Sequence, residues 1–373
     1  MKILLLITEM GSGGAERQLS GLASMLTGRG HETRVCWMQG ENFYSDALSE
    51  ASVSELCLNA SSRIMRMMKT AREIRRFHPD TVIAFLDGAI SSALRVRKFF
   101  PWLRFRLIVS ERNVTQNFTP EQNAKFRAYR RADAIVCNSF TQTENLRRRF
   151  PELAGRIATI TNFVDLERFR PAEEENRNAG GSTEEVRGGG EGVGSKARGP
   201  EDSSSGAKAE VLKIAVVARI AAQKNVRRFT RAAALAPENL EIDWYGASAG
   251  PAPEDSPRVH FHPAQKNIEN IYRHCDALCL PSLYEGFPNV VCEAMASGLP
   301  VLCSRVCDNP RLVKDGENGL LFDPLSERSI ADALARFASL DAATRAAFGR
   351  ESRRRAESLL SPEVFLESWE KLL

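Results

Sequence analysis

The chain lacks long apolar runs, metal-ligating motifs and paired cysteines. None of its apolar segments approaches the roughly 20 residues that a helix needs to cross a bilayer. Its eight cysteines form no Cys-x-x-Cys pair and no cysteine–histidine cluster at zinc-ligand spacing, which favours reduced thiols in a cytoplasmic setting. There is no Asp-x-Asp pair to suggest a required divalent cation. Zinc-finger, RNP and basic-zipper patterns are also missing, so nucleic acid is not an expected partner.

Short apolar runs alternate with helical patterns in two separate series, which is typical of parallel α/β sheets. The predicted strands of the first series are 3–7, 33–37, 81–85, 106–109 and 134–137, and those of the second are 211–217, 241–245, 277–280 and 300–303. Between the series, residues 174–208 are rich in Gly, Ser, Glu and Arg and contain almost no large apolar side chain. We interpret residues 171–210 as a disordered low-complexity linker between two Rossmann-like domains.

The two halves of the chain differ in charge. Residues 1–171 carry 26 Lys and Arg against 17 Asp and Glu, whereas the remainder carries 25 against 30. A basic first domain suggests an anionic surface or ligand. The pattern from 63 to 77 predicts an amphipathic helix with an apolar stripe through Ile64, Met67, Met68, Ala71 and Ile74.

The cations of this helix allow two interpretations. They can contact an anionic membrane, or they can be solvated while the apolar stripe packs on the sheet. We favour the membrane because basic and aromatic residues are also concentrated between 95 and 104. The membrane-contact residues would be Arg66, Lys69, Arg72 and Arg76.

A nine-residue stretch from Glu285 to Glu293 carries the most chemical information. It follows a predicted strand, contains Gly286 and Pro288, and leads into a predicted helix rich in small residues. Glycine permits close backbone approach, and proline suits the first turn of a helix. A helix N-terminus that follows a glycine-containing loop is an anion site. Carboxylates on either side of it suit a ligand with both phosphates and hydroxyls, such as a nucleotide sugar.

Two glutamates separated by seven residues, with Gly-Phe-Pro after the first, resemble the signature of the retaining glycosyltransferases of family 4. The resemblance runs from the loop 13–17 to the tail 369–373 and is interrupted in the region of 172–210. It implies the α/β GT-B fold, in which two Rossmann-like domains face each other across a cleft. Segments 84–87 and 110–113 are most similar to the branch that adds hexose or N-acetylhexosamine to polyprenyl-diphosphate-linked glycans, as an N-acetylgalactosaminyltransferase does.

The resemblance also implies a domain assignment. Residues 1–170 would form the acceptor-side domain and residues 211–360 the nucleotide-sugar-binding domain. Residues 361–373 would form a helix that packs back toward the first domain.

The resemblance assigns catalytic roles to Glu285, Arg219 and Lys224. Arg219 and Lys224 would hold the donor diphosphate and neutralise the leaving group without a metal cofactor. Glu285 would contact hydroxyls of the transferred sugar and stabilise positive charge at the anomeric centre, and Glu293 would bind the ribose. The donor-binding set is Arg219, Lys224, Glu285, Gly286, Phe287, Pro288, Asn289, Val290 and Glu293.

On the acceptor side, Gly13 and Gly14 form a glycine-rich turn after the first strand, and Glu111 and Arg112 end another predicted strand. Carboxyl ends of strands are where ligands bind in open α/β sheets, so these four residues form an expected acceptor or phosphate loop. Arg112 stands where several relatives carry a histidine that contacts the transferred sugar, which leaves such a contact in doubt here. Arg17 is open between a ligand contact and a solvated cation.

These observations predict a retaining transferase that uses a nucleotide sugar, with UDP favoured, and acts on a lipid-linked glycan in cell-surface polysaccharide or glycoconjugate assembly. It would lie in the cytoplasm, at the inner face of the membrane. Two alternatives stay open at this point. A UDP-N-acetylglucosamine epimerase shares the fold and the donor, and a non-catalytic nucleotide-sugar-binding protein needs the same diphosphate contacts.

Overall fold

A computed structural model describes residues 1–172, 211–247 and 258–373. Apart from its first two residues, the predicted linker 171–210 lies outside these ranges. Within them, the chain forms two parallel sheets that follow one another in sequence, each flanked by helices.

The first sheet has seven parallel strands in the order β3-β2-β1-β4-β5-β6-β7. These are β1 (Lys2–Ile7), β2 (Glu32–Trp37), β3 (Ser54–Cys57), β4 (Thr81–Phe85), β5 (Arg106–Glu111), β6 (Ala134–Cys137) and β7 (Ile157–Thr159). Its central strands are buried and strongly apolar, as expected where helices cover both faces. The strand order reverses between β1 and β4, and a crevice at their carboxyl ends is the expected ligand position.

Six helices belong to the first sheet, and their ends follow local sequence signals. They are α1 (Gly14–Gly28), α2 (Ser45–Glu50), α3 (Arg63–Phe77), α4 (Asp87–Phe99), α5 (Pro120–Ala128) and α6 (Phe140–Arg149). The Ser62 hydroxyl caps α3, and Thr119 and Gln122 form a reciprocal capping box at the start of α5. Such caps satisfy N–H groups that have no partner within the helix.

The second sheet has six parallel strands in the order β10-β9-β8-β11-β12-β13. These are β8 (Leu212–Val217), β9 (Leu240–Tyr245), β10 (Val259–His262), β11 (Ala277–Leu280), β12 (Val301–Ser304) and β13 (Gly319–Phe322). Its helices are α7 (Val226–Ala233), α8 (Ile268–Arg273), α9 (Asn289–Ala296), α10 (Asn309–Leu312), α11 (Glu327–Ala338) and α12 (Ala342–Leu360). The strand order reverses between β8 and β11, so this sheet has its own switch point.

The sequence predicted all nine of the other strands but missed β3, β7, β10 and β13. These four are the outer strands of the two sheets and are only three or four residues long. An outer strand needs fewer apolar side chains because one of its sides has no neighbouring strand, so its periodic signal is weak.

The chain crosses between the two cores at both ends of the second domain. Val164 and Phe169 already pack into a core formed by the second sheet and α9. After α12, a further helix, α13 (Pro362–Glu370), returns to the first sheet. There Trp369 is fully buried and its ring stacks on Phe85 with 5.8 Å between the centroids. Both crossings attach one domain to the other.

Helix α3 packs on the core only through part of its predicted apolar stripe. Ala71 and Ile74 are buried, whereas Ile64 is 72% exposed and Met68 is 50% exposed. No helix in the described ranges has the length and apolar character needed to span a membrane.

Candidate active site

The loop between β11 and α9 places the predicted donor motif at the switch point of the second sheet. Val291, Ala294 and Met295 on α9 are fully buried, which fixes the direction of the helix and of its N-terminus. The helix starts at Asn289, and Pro288 is its N-cap rather than a first-turn residue. The first N–H groups of a helix have no partner within it, and such an N-terminus favours an anion.

Lys224 and Glu285 meet in front of this helix. The Lys224 ammonium lies 2.5 Å from the Glu285 carboxylate, and both side chains are largely buried, with 14% and 10% exposed. Two hydrogen bonds join their loops: the amide of Leu283 donates to the Gln223 carbonyl at 2.8 Å, and the Gln223 amide group donates to the Tyr284 carbonyl at 2.9 Å. The pair is therefore positioned within the second domain alone.

Arg219 follows β8 at the same edge of the sheet and is exposed. No hydrogen bond or ion pair of its side chain occurs within the described ranges. Its backbone is held closely, because Trp244 donates to the Ala218 carbonyl at 2.8 Å and Gly246 packs against that same carbonyl so tightly that a Cβ would overlap it. A fixed backbone with an unpaired guanidinium is suited to bind an incoming anion.

Glu293 lies one turn into α9 and is paired across the domain boundary. Its carboxylate accepts from the Arg17 guanidinium of α1 and, at 3.4 Å, from the Tyr272 hydroxyl. Burial raises the pKa of Glu293, while Arg17 and Tyr272 oppose that shift. Burial also tends to lower the pKa of Arg17, but Glu293 more than offsets this and the pKa of Arg17 is raised. The charged form of Arg17 is therefore stabilised, whereas the charged form of Glu293 is only partly protected against the effect of burial.

The turn that contains Gly13 and Gly14 contacts the first residue of α9, directly after the loop 285–288, which is the predicted donor loop. Gly14 lies so near the Asn289 side chain that a Cβ would overlap it, and a Cβ on Gly286 would lie 3.3 Å from the Arg112 carbonyl oxygen. Asn162, which follows β7, donates directly to Asn289. The switch points of the two sheets therefore face each other at contact distance across a cleft.

Glu111 and Arg112 lie at this edge, and both side chains are buried. Glu111 is buried and accepts from the Tyr129 hydroxyl at 2.8 Å and from Lys125 at 2.7 Å. The Arg112 guanidinium donates to Asn162 and lies 5.0 Å from the Phe85 ring centroid. Burial lowers the pKa of Arg112 to about 10. Its backbone, not its side chain, lines the donor loop.

The four cations expected to contact the membrane lie on α3 and fall into two groups. The Arg66 side chain donates to the Ala60 carbonyl at 3.0 Å, and Lys69 donates to two carbonyls of the preceding loop at 2.8 and 2.9 Å. Arg72 and Arg76 are exposed. Arg66 and Lys69 therefore hold a loop, and Arg72 and Arg76 alone extend into solvent.

Sequence reasoning missed two cross-domain contacts. Arg17 was left open, and its position opposite Glu293 depends on how the domains meet, so no local pattern reveals it. Asp308 was not singled out, yet its buried carboxylate accepts from the amides of Phe140 and Thr141, at 2.7 and 3.0 Å, and from the Thr141 hydroxyl at 2.7 Å. It satisfies the N-terminus of α6 from the other domain.

A cavity of about 320 Å³ opens beside Glu293 and is lined by both domains, including Arg17, Phe163, Arg168 and Asn289.

Two Rossmann-like domains, a helix N-terminus at one switch point and a glycine turn at the other define the class of GT-B glycosyltransferases. Comparison with known families agrees. The sequence model "Glycosyltransferase Family 4" matches residues 12–168, and "Glycosyl transferases group 1" matches residues 212–339. Both halves of the chain therefore match glycosyltransferase families, the first half family 4 and the second half group 1.

Among curated proteins, the chain is 29% identical over 249 residues to the D-inositol 3-phosphate glycosyltransferase of Saccharomonospora viridis, covering 61% of this chain and 52% of that protein. It is 29% identical over 195 residues to the UDP-Gal:alpha-D-GlcNAc-diphosphoundecaprenol alpha-1,3-galactosyltransferase of Escherichia coli, covering 48% and 45%. The chain spans about half the length of the curated relatives it matches.

Solved structures share the fold over the whole chain. HepE of Anabaena in complex with UDP and glucose superposes with a TM-score of 0.76 at 16% identity, covering 100% of this chain and 99% of that one. The lipopolysaccharide outer core galactosyltransferase WaaB superposes with a TM-score of 0.71 at 16% identity, covering 100% and 98%. At these identities the likeness supports the GT-B fold alone.

Proposed function

We propose that the protein is a retaining glycosyltransferase that moves a hexose or N-acetylhexosamine from a UDP-sugar to a lipid-linked glycan. The observation that carries this proposal is the Lys224–Glu285 pair directly in front of the N-terminus of α9. A diphosphate bound at that N-terminus would have Lys224 beside it, and Glu285 would be close to the sugar attached to it.

The second glutamate fits the ribose. A carboxylate offers about four lone-pair positions, and Arg17 and Tyr272 occupy one on each oxygen of Glu293. The remaining positions can accept from two vicinal hydroxyls. Arg17 thereby orients Glu293 for the nucleotide, and the cavity beside it has room for part of the donor.

The chemistry follows from these positions. The bond between the anomeric carbon and the diphosphate oxygen breaks, and Lys224 and Arg219 stabilise the negative charge on the leaving group. The acceptor hydroxyl forms the new bond from the same face, which retains the anomeric configuration. The departing diphosphate oxygen takes the acceptor proton, so no separate base is needed. Because two protein cations supply the charge, we expect transfer to proceed without an added metal.

The lipid-linked acceptor and the membrane rest on a different part of the chain. The relative from Escherichia coli acts, by its name, on a diphosphoundecaprenol-linked sugar. On α3, the exposed Ile64, Met65 and Met68 lie on the same helix as Arg72 and Arg76. Exposed apolar side chains beside unpaired cations are the composition of a helix that lies on an anionic membrane surface. We expect a peripheral protein at the inner face.

The test begins with melting curves in the presence of UDP, GDP and ADP, using Glu293→Ala as a second sample. A ligand of the native state raises the melting temperature, and we expect a rise with UDP that the variant loses. UDP-sugars with and without a polyprenyl-diphosphate-linked acceptor follow. Isomerised donor without acceptor would replace the transferase by an epimerase. A UDP shift with no turnover on any acceptor of this class would leave a non-catalytic binder.

A further inference from the structure

A second cavity lies in the first domain, between α4 and the segment formed by α5 and the short 3-10 helix Tyr129–Arg131. Its volume is about 200 Å³, which is below the roughly 300 Å³ at which pockets for drug-sized ligands begin. Ile90, Leu94 and Ala128 contribute apolar side chains to it. The cavity suits a small charged group with an apolar neighbour rather than a whole nucleotide.

Three cations line this cavity without an acidic partner. They are Arg95, Lys98 and Arg131, and the described part of the chain offers none of them a carboxylate within ion-pair distance. Neighbouring cations differ: Arg97, on the same helix, pairs with Asp133 at 2.9 Å, and Lys125 pairs with Asp87 and Glu111. Uncompensated positive charge concentrated in one concave site favours an anion with several oxygens.

One end of this cavity, which we call the groove, reaches the edge of the first sheet that faces the cleft. Asp87 starts α4 directly after β4, at the switch point of the first sheet. The preceding residue, Leu86, has a φ of 66°, a conformation that strains a residue with a Cβ and that is concentrated at functional sites. Lys125 lies 2.7 Å from both Asp87 and the buried Glu111. Burial opposes the charge of Lys125, but Glu111 and Asp87 outweigh burial and raise its pKa.

Next to the cavity, the chain continues from Lys98 to Phe99 and Trp102, whose side chains are 53% and 69% exposed. Along α4, Asp87 and Lys98 are about 16 Å apart at 1.5 Å per residue. The order along α4 and the residues after it is therefore Asp87 at the cleft edge, the cations Arg95 and Lys98, and the exposed aromatic rings.

We propose that this groove binds the diphosphate of the lipid-linked acceptor. Arg95, Lys98 and Arg131 would contact the phosphate oxygens, the glycan would extend along α4 toward Asp87 and Lys125, and the hydrocarbon chain would lie over Phe99 and Trp102. This assignment rests on the proposed transfer to a lipid-linked glycan. It adds a recognition site for the diphosphate that is separate from the donor site and from the cations of α3.

The test compares two triple variants of equal charge change. R95Q/K98Q/R131Q removes the groove cations, and R63Q/R72Q/R76Q removes three exposed cations of α3. Binding of each full-length protein is measured by flotation with phosphatidylcholine vesicles containing either a polyprenyl diphosphate or phosphatidylglycerol at the same total charge. The two vesicles distinguish a diphosphate from a general anionic headgroup.

We expect the wild-type protein to bind the diphosphate vesicles about tenfold more tightly, since charge-assisted contacts with several oxygens are stronger and more directional. The groove variant should lose this preference. The α3 variant should bind both vesicles more weakly but keep their ratio. Equal binding of both vesicles by the wild-type protein, or an unchanged ratio in the groove variant, would overturn the proposal.

The melting-temperature shift with UDP is measured on the same samples. A single melting transition at the wild-type temperature, with a retained UDP shift, shows that both domains of the groove variant are folded, so a lost vesicle preference is then due to the groove. If UDP gives no shift in any sample, the proposed donor site fails, whichever way the vesicle result falls. The two proposals therefore fail in separate measurements.

Discussion

The two glutamates of the donor motif are eight residues apart, yet their cations come from different places. Glu285 pairs with Lys224 inside the second domain, where two loop hydrogen bonds fix both side chains. Glu293 pairs with Arg17 of the first domain. The first pair exists whenever the second domain is folded, whereas the second exists only when the domains are together. The Lys224–Glu285 pair therefore requires only a folded second domain, whereas the Arg17–Glu293 pair requires a closed cleft.

The largest effect should come from breaking the pair within the second domain. Lys224→Ala removes the cation that we propose lies beside the leaving diphosphate, and we expect kcat to fall by about 10²–10³, as for the loss of one donor to a developing oxyanion. Steady-state turnover with a UDP-sugar and a lipid-linked acceptor measures it. Lys224→Arg, which keeps the charge, should recover part of the loss. A kcat for Lys224→Ala that matches the wild-type value would remove Lys224 from the reaction.

Breaking the cross-domain pair should instead appear as a pH-dependent loss of stability. In Arg17→Met, Glu293 stays buried without its cation, so its folded pKa lies further above the ordinary value of about 4.3. The native state then holds a proton that the unfolded chain releases, and the free energy of unfolding falls as pH rises above that value. Urea unfolding at several pH values between 4.5 and 8 measures the slope.

The control for that slope is the double variant R17M/E293Q, which has no group left to titrate at this position. We expect it to lack the additional pH dependence. If Arg17→Met and the wild-type protein show the same slope, the ion pair contributes no electrostatic coupling between the domains.

A smaller effect should follow from keeping both pairs and changing the distance between the domains. A Cβ on Gly286 would lie 3.3 Å from the Arg112 carbonyl, whereas one on Gly11 would meet nothing within 4 Å. We expect Gly286→Ala to lower kcat/KM by about tenfold, because small displacements at a reacting centre are costly, and Gly11→Ala to leave it unchanged. Equal kinetics for both variants would show that the approach of the two loops does not matter for turnover.

The smallest effect should come from a cross-domain contact away from the motif. Thr141→Val removes one hydrogen bond to Asp308 but leaves the two amide donors of α6 in place. We expect a loss of about 1 kcal/mol in the free energy of unfolding, measured in urea, with no change in UDP affinity. A weakened UDP affinity would mean that this contact, like Arg17, is coupled to the donor site.

Much of the fold was predictable because central strands of a parallel sheet are continuous apolar runs. The nine inner strands fall at or within two residues of their predicted bounds, and helix α3 has its predicted ends. The outer strands were not predictable, because an edge position does not require the same apolar pattern. The exposure of Ile64 and Met68 was open for a related reason: helical spacing identifies a face, but only packing decides how much of that face is covered.

The sequence by itself determined the motif from Glu285 to Glu293, the alternation of strands and helices, and the family, since each depends on residues that are close along the chain. The tertiary structure decided which cation meets which acid and where the unpaired cations collect. Arg17 reaches Glu293 over 276 residues of sequence, and Arg95, Lys98 and Arg131 share one groove because two helices pack side by side. Such pairings depend on distances in space, and these arise only when the domains fold and meet.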